Sequence, residues 1–167
     1  MIGDVAIRRA LSTDLPRLLL LYRLLEVVPE PKVPLDEALV RLRELECNPL
    51  HQIYVAEIDK RIVGTFVMVF IPGLSHSARA SCIVEDVVVD DALQGAGIGK
   101  RMMRFAMDLC AARDCYKLTL SSHVRRDQAH RFYEGLGFTR HGYSFLIDDA
   151  AGRSNGDATA PPSAVRD

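Results

Sequence analysis

The first third of the chain is patterned for a strand and two helices. "VAIRRAL", Val5 to Leu11, has strand character and runs into Ser12-Thr13-Asp14, residue types that favour a helix N-cap. Pro16 follows in the first predicted helical turn, where a missing N–H costs little. "LPRLLLLYRLLEVV", Leu15 to Val28, is strongly apolar and reads as a helix that "PEPKVP" breaks. Leu35, Leu39, Leu42 and Leu45 recur at helical spacing and predict a second helix over Leu35 to Glu46.

The middle of the chain changes period. "HQIYVAEI" and "RIVGTFVMVF" are rich in β-formers and meet at Asp59-Lys60, which predicts a hairpin. Beyond the loop "IPGLSHSAR", "ASCIVEDVVVD" reads as a third long strand. Three glycines then punctuate "QGAGIGKRMM", Gln94 to Met103. After them Ile98, Met102, Phe105 and Leu109 recur at helical spacing, with Lys100, Arg101, Arg104 and Asp108 on other faces. "YKLTLSS" alternates as a strand does, and "RDQAHRFYEGLG" is a short helix closed by glycine. "FTRHGYSFLI" offers one or two final strands. From Asp149 onward no apolar period remains, and a disordered tail is expected over 149–167. The order of elements predicts an α/β chain of the α+β type, with a mixed sheet in a single domain over 1–148, not a doubly wound fold.

Composition mainly excludes. The 167 residues suit one domain, and their net charge of −1 creates no global field for nucleic acid or a membrane surface. No apolar run is long enough to span a bilayer, and the start lacks the layout of a signal peptide. None of the four cysteines, Cys47, Cys82, Cys110 and Cys115, forms a CxxC pair. They read as reduced packing thiols of a cytoplasmic protein. His123 and His130 lie on different predicted elements, with no carboxylate or Cys at ligand spacing, so no metal site is expected. Arg125, Arg126, Arg131 and Arg140 read as a solvated helix face or as a pull on an anionic substrate.

The glycine loop looks like a phosphate cradle. A loop that opens an amphipathic helix offers unpaired N–H groups and the positive end of a dipole. Glycines let a phosphate approach the backbone, and Lys100 adds a cation. A nucleoside-triphosphate loop needs G-x-x-x-x-G-K-[ST]. Here Gln94 stands at the first glycine and Arg101 at the magnesium-binding hydroxyl. A dinucleotide loop needs G-x-G-x-x-G, and counting from Gly95 and Gly97 puts Lys100 at the third glycine.

"VEDVVVDDALQGAGIGKRMM" followed by "AHRFYEGLGF" resembles the GNAT family of acyl-CoA-dependent N-acetyltransferases. Gln94, Gly97 and Gly99 match the hallmark [Q/R]-x-x-G-x-[G/A]. Phe132, Tyr133, Glu134, Gly137 and Phe138 match a second, FYE-x-x-GF-like segment. The similarity spans roughly Val5 to Ile147. It implies the GNAT fold: a mostly antiparallel sheet with a splayed parallel pair, flanked by helices. The implied donor is acetyl-CoA and the implied acceptor a primary amine on a small molecule, attacked directly in a ternary complex. A protein or peptide amine, or a non-catalytic acyl-CoA-binding domain, are the alternatives. A homodimer is the family-level expectation.

The resemblance also assigns roles. Val87, Val88 and Val89 would offer main-chain groups to the pantetheine arm. Gln94, Gly95, Ala96, Gly97, Ile98, Gly99 and Lys100 would wrap the pyrophosphate. Glu85 matches a carboxylate that handles the amine proton, and its strand is similar to that of glucosamine-phosphate N-acetyltransferases. Strand alternation is expected to turn Asp86 to the other face. Tyr133 matches a general acid near the coenzyme sulfur. One departure stands out: many members carry Asn three residues before the alanine of the late helix, whereas Arg126 precedes Ala129 here. In this run the chain is similar to aminoalkylphosphonate N-acetyltransferases.

Overall fold

A computed structural model describes residues 3–25 and 33–145. Five strands form one sheet in the order β1-β2-β3-β4-β5: β1 Ala6–Arg9, β2 His51–Ile58, β3 Arg61–Ile71, β4 Ser81–Val89 and β5 Lys117–Leu120. All neighbours pair antiparallel except β4 with β5, which is parallel. Helices α1 (Leu15–Tyr22) and α2 (Leu35–Glu46) cover one face. After the single turn α3 (Ser75–Ala78), helices α4 (Ile98–Ala112) and α5 (Asp127–Glu134) lie on the other. This is the mixed α/β architecture expected from the sequence.

Alternation along the strands sorts the core into two layers. Tyr54, Phe66, Met68, Cys82 and Val84 pack with Ile98, Met102, Met103 and Ala106 of α4. Ile53, Val55, Val67 and Val88 pack with Leu15, Leu18 and Leu21 of α1 and with Leu42 of α2. Phe66 is fully buried and stacks on Tyr54 at 5.3 Å between ring centroids. At the predicted hairpin both Asp59 and Lys60 have positive φ, 48° and 64°. A two-residue turn of this kind matches the twist of the strands it joins.

Three local expectations are corrected. Helix α1 ends at Tyr22, because the amides of Leu24 and Leu25 tighten onto the carbonyls of Leu21 and Tyr22; residues 26–28 of the predicted helix lie outside the described residues. The Asp14 side chain caps no helical amide. It turns back to accept from the Leu11 amide at 2.8 Å and from Arg8 at 2.6 and 3.1 Å. No strand forms over 138–145. Gly142 breaks the run at φ 77°, and among the described residues no strand lies beside it to cover Tyr143 and Phe145, which are 91% and 94% exposed. Residues 146–147 and the expected tail at 149–167 lie outside the described residues.

Helix α4 ends on a left-handed residue, Asp114, at φ 51°. The Asp114 amide donates to Ala111 and that of Cys115 to Cys110, both at 3.0 Å. This double closure brings Cys115 back over Cys110. Both thiols are buried, as is Cys82; only Cys47 of the four cysteines is exposed.

Arg8 joins β1 to the start of α1 and to β2, since it also donates to Glu57 at 2.7 and 3.0 Å. Burial alone would raise the Asp14 carboxyl, but Arg8 and the Leu11 amide outweigh it and hold it below its ordinary value. Asp14→Asn is expected to lower the unfolding free energy by about 2 kcal/mol at neutral pH, because it removes the buried one of the two carboxylates that Arg8 bridges. The folded-state value is depressed, so this contribution is complete above the unfolded-state value of about 3.9 and is lost as pH falls through the lower folded one. Urea denaturation from neutral to strongly acid pH should show wild type and variant converging in acid.

Candidate active site

The parallel ladder between β4 and β5 is short. It runs from Ser81 opposite Lys117 to Val84 opposite Leu120 and then stops. On its other edge β4 continues along β3, with Val88 opposite Thr65 and Val89 opposite Gly64. From Glu85 to Val89 the edge of β4 that faced β5 is therefore unpaired, and the two strands part in a wedge. Val87, Val88 and Val89 lie on that open edge, where the main chain can hydrogen-bond an extended ligand as an added strand would.

The loop after β4 is built to stay open. Asp90 caps the turn Asp91–Leu93 by accepting from the Ala92 amide at 3.1 Å. It also takes Arg61 at 2.9 Å and pairs with Arg17 of α1. The Ala92 amide and the two guanidiniums keep the Asp90 carboxyl below its ordinary value. Gln94 donates to Asp91 at 2.6 Å and to the Val89 carbonyl at 3.4 Å, so its side chain ties the loop to the end of the strand. Gly95 and Gly97 have φ of 77° and 82°, which favours glycine, and nothing stands within 4 Å of where their Cβ atoms would be. Gly97 is the N-cap of α4. The amides of Gly97, Ile98, Gly99 and Lys100 thus begin a fifteen-residue helix and face the positive end of its dipole. Ala96 is half-buried, its amide held by the Leu93 carbonyl at 3.3 Å. Ile98 points into the core and anchors the loop, whereas Lys100 is exposed.

Gly99 serves a different need. A Cβ there would stand 3.3 Å from Cζ of Phe132, so the bare backbone lets α5 lie against the first turn of α4. The "FYEGLGF" segment then closes α5. Gly137 turns at φ 95°, and the amides of Leu136 and Phe138 return to the Tyr133 carbonyl at 3.0 and 3.1 Å. This brings the Phe138 ring edge-on to Tyr133, 5.8 Å away, with Phe132 on another side at 5.1 Å. Tyr133 is half-buried. Burial raises its phenol above the ordinary value, while the positive charge of Arg126 acts to lower it.

The structure corrects the expectation for Asp86. The register of β3 against β4 slips between Thr65 and Val67, so Asp86 and Val87 together oppose Phe66. Asp86 takes φ 51°, a bulge that breaks the alternation of the strand. Glu85 is opposite Val67, on the α1–α2 face. The Asp86 carboxylate is coupled to groups on that same face. Burial raises it, and His51 of β2 draws it back. Burial together with the Asp86 charge pushes the Tyr22 phenol of α1 up to about 12. Among the described residues neither Glu85 nor Asp86 has a salt bridge or a side-chain hydrogen bond. Two unpaired carboxylates thus stand where the wedge opens. No sequence signal marks the bulge, because Asp visits the left-handed region without needing glycine. A cavity of about 630 Å³ lies between α1, α2 and β2, lined in part by Leu18, Tyr22, Asp36, Glu37, Val40 and Ile53. Tyr22 joins it to the Asp86 group.

Among the described residues no group of His, Cys, Asp and Glu is arranged to hold a metal ion. His130 faces the His123 carbonyl at 3.1 Å instead. Arg140 pairs with Glu134, whereas Arg126 reaches across to the Leu25 carbonyl beyond α1.

Several known proteins resemble this chain in sequence and in fold. A glucosamine 6-phosphate N-acetyltransferase of Trypanosoma brucei brucei is 35% identical over 88 residues, 53% of this chain and 58% of that protein. Its Arabidopsis thaliana counterpart is 39% identical over 56 residues, 34% of this chain and 36% of that protein. The matched segments therefore span about a third to three-fifths of these curated relatives. A crystal structure of the Arabidopsis thaliana glucosamine-6-phosphate N-acetyltransferase superposes with a TM-score of 0.77 at 26% identity, covering 88% of this chain and 99% of that one. The family profile described as Acetyltransferase (GNAT) family matches residues 15–138, from the first helix through the last residue of the "FYEGLGF" segment. The chain belongs to the GNAT acetyltransferase family.

Proposed function

We propose that this protein transfers the acetyl group of acetyl-CoA to a primary amine of a small molecule. The carrying observation is the open edge of β4 running into a left-handed glycine loop and the bare N-terminus of α4. An extended amide-bearing arm followed by a pyrophosphate fits that sequence of main-chain donors. In this reading Val87–Val89 hold the pantetheine amides, and Gln94 to Lys100 form the pyrophosphate cradle. The bound coenzyme presents a thioester at the wedge.

The remaining chemistry falls to side chains. The amine arrives protonated and must lose a proton before its lone pair attacks the thioester carbon. Glu85, unpaired at the mouth of the wedge, takes that proton directly or through water. Asp86 beside it adds negative charge that favours an approaching ammonium group. As the tetrahedral adduct collapses, the C–S bond breaks and its electron pair goes to sulfur. Tyr133 supplies the proton that turns the thiolate into a thiol, and the second proton of the amine restores the phenol. Glucosamine 6-phosphate, named for the relatives, is the first acceptor to test. The three buried free thiols support a reducing compartment such as the cytoplasm. The outer edge of β5 and the exposed Tyr143 and Phe145 support a homodimer.

A free-thiol release assay with acetyl-CoA and a panel of primary amines tests the reaction. Release with no amine, despite coenzyme binding, would sink the reading and favour a binding domain. Glu85→Gln is expected to lower kcat about 100-fold and Tyr133→Phe about 10-fold or more, with coenzyme affinity by calorimetry nearly unchanged. Wild-type turnover in both variants would remove the assigned roles. Gly97→Val forces a branched side chain into the left-handed region at the cradle. It should weaken coenzyme A binding about tenfold or more and cost roughly 1–2 kcal/mol of stability, read by calorimetry and thermal melting.

A further inference from the structure

Helix α1 packs on one face of the sheet and α4 on the other, yet a side chain of the first reaches the loop that feeds the second. Arg17 stands half-buried in the first turn of α1. Its Nε donates to the Ile62 carbonyl of β3 at 2.9 Å, and its Nη2 donates to Oδ2 of Asp90. One edge of the planar guanidinium thus grips the sheet and the loop together, as a fixed fork of donors can. Leu15, Leu18 and Leu21 commit the surrounding helix to the core, so the fork is presented from a firm base. Arg61 meets the same oxygen at 2.9 Å, but it is exposed and opens β3 just after the hairpin turn.

Asp90 is the point from which the glycine loop hangs. Its amide donates to the Val63 carbonyl at 2.8 Å, next along β3 from the carbonyl that Arg17 holds. Its own carbonyl accepts from the Leu93 amide at 2.8 Å, and its Oδ1 from the Ala92 amide at 3.1 Å. Leu93 passes the constraint on, because its carbonyl accepts from Ala96 at 3.3 Å, one residue before the N-cap Gly97. Gly95 and Gly97 have open space where a Cβ would stand, and glycine has many backbone forms to choose among. The stretch is therefore placed by its two ends: Ile98, buried in the core, at one, and Asp90 at the other.

We propose that Arg17 is a positioning residue for coenzyme A: by holding Asp90 from the opposite face of the sheet, it keeps the glycine loop in the form that receives the pyrophosphate. With that end released, coenzyme binding would have to order the loop as well, and affinity falls by the cost of doing so. Arg17 acts through Asp90 and not on the reacting atoms, so the chemistry of the bound thioester is left as it was. This rests on the reading of the loop as the pyrophosphate cradle.

Calorimetry with coenzyme A and steady-state kinetics on the full chain test it. Arg17→Gln should weaken coenzyme A about five- to tenfold and raise KM for acetyl-CoA alike, with kcat within about twofold. Arg17→Lys keeps a charge for Asp90 without the fork, so it should recover part of the loss; it carries the test by itself where Arg17→Gln does not fold. Arg61→Gln should shift affinity by less than about twofold, as expected of an exposed pair. Arg17→Gln should cost less in an Asp90→Asn background, where the shared contact is already weakened. Leu42→Ala, a core truncation in α2, is the control for stability: it should lower the melting temperature and leave coenzyme affinity unchanged. Wild-type affinity in Arg17→Gln overturns the proposal. So does an equal loss of affinity in Leu42→Ala, or a fall in kcat with KM unmoved. Amide hydrogen exchange in the free protein is the second readout: the amides of Ala92, Leu93 and Ala96 should exchange faster in Arg17→Gln, and unchanged rates refute the proposal. If wild type binds no coenzyme A, the cradle reading fails separately, and the exchange rates still decide whether Arg17 holds the loop.

Discussion

The early end of the β4–β5 ladder is the constraint on which the site depends. Parallel strands that stayed paired to their ends would satisfy every main-chain group of Val87–Val89 and leave nothing to offer a ligand. The break after Val84 and Leu120 leaves the main-chain groups on that edge of β4 without a strand partner, while the other edge stays paired to β3. The cost is tolerable because the other edge of β4 remains bound to β3 and because α4 seals the wedge from one side with Ile98 and Met102. A bulge at Asp86 sits at the same point. It adds twist where the strands diverge and turns a second carboxylate toward α1. Parting strands, bulge and paired acids are thus one structural event.

Two arginine contacts tie helix α1 and the turn that closes it to the glycine loop and to the late helix. Arg17 of α1 meets Asp90, the residue that starts the glycine loop, and donates to the Ile62 carbonyl at 2.9 Å. Arg126 meets the end of the same helix from the far side of the wedge. Helix α1 therefore touches both the cradle and the late helix, although its apolar face is committed to the opposite layer of the core.

Periodic and motif-bearing parts were legible in the sequence. The strands from His51 to Val89 and the helix after Ile98 announce themselves by spacing. The glycines at 95 and 97 announce a backbone that other residues resist. Three features were hidden for a common reason: each depends on partners far along the chain. Alternation assigns Asp86 to the wrong face because the register slip is decided by how β3 and β4 pack, not by the Glu-Asp pair. Asp14 looks like a cap, yet Arg8 and Glu57 claim its surroundings. Tyr143 and Phe145 look like strand residues, but a strand is a pairing, and no strand among the described residues receives them. The tie from Arg126 to the Leu25 carbonyl was equally invisible, since only folding brings the two together.

The buried thiols at the end of α4 acquire a meaning from the proposed chemistry. Each turnover would liberate coenzyme A, itself a thiol and a ready partner in disulfide exchange. Exchange proceeds through thiolates. Burial, with the neighbouring sulfurs, pushes Cys82 up to about 12 and Cys110 up to about 11. With Cys115 folded back over Cys110, these three sulfurs are withheld from exchange with any such thiol, and Cys47 is the one cysteine left exposed.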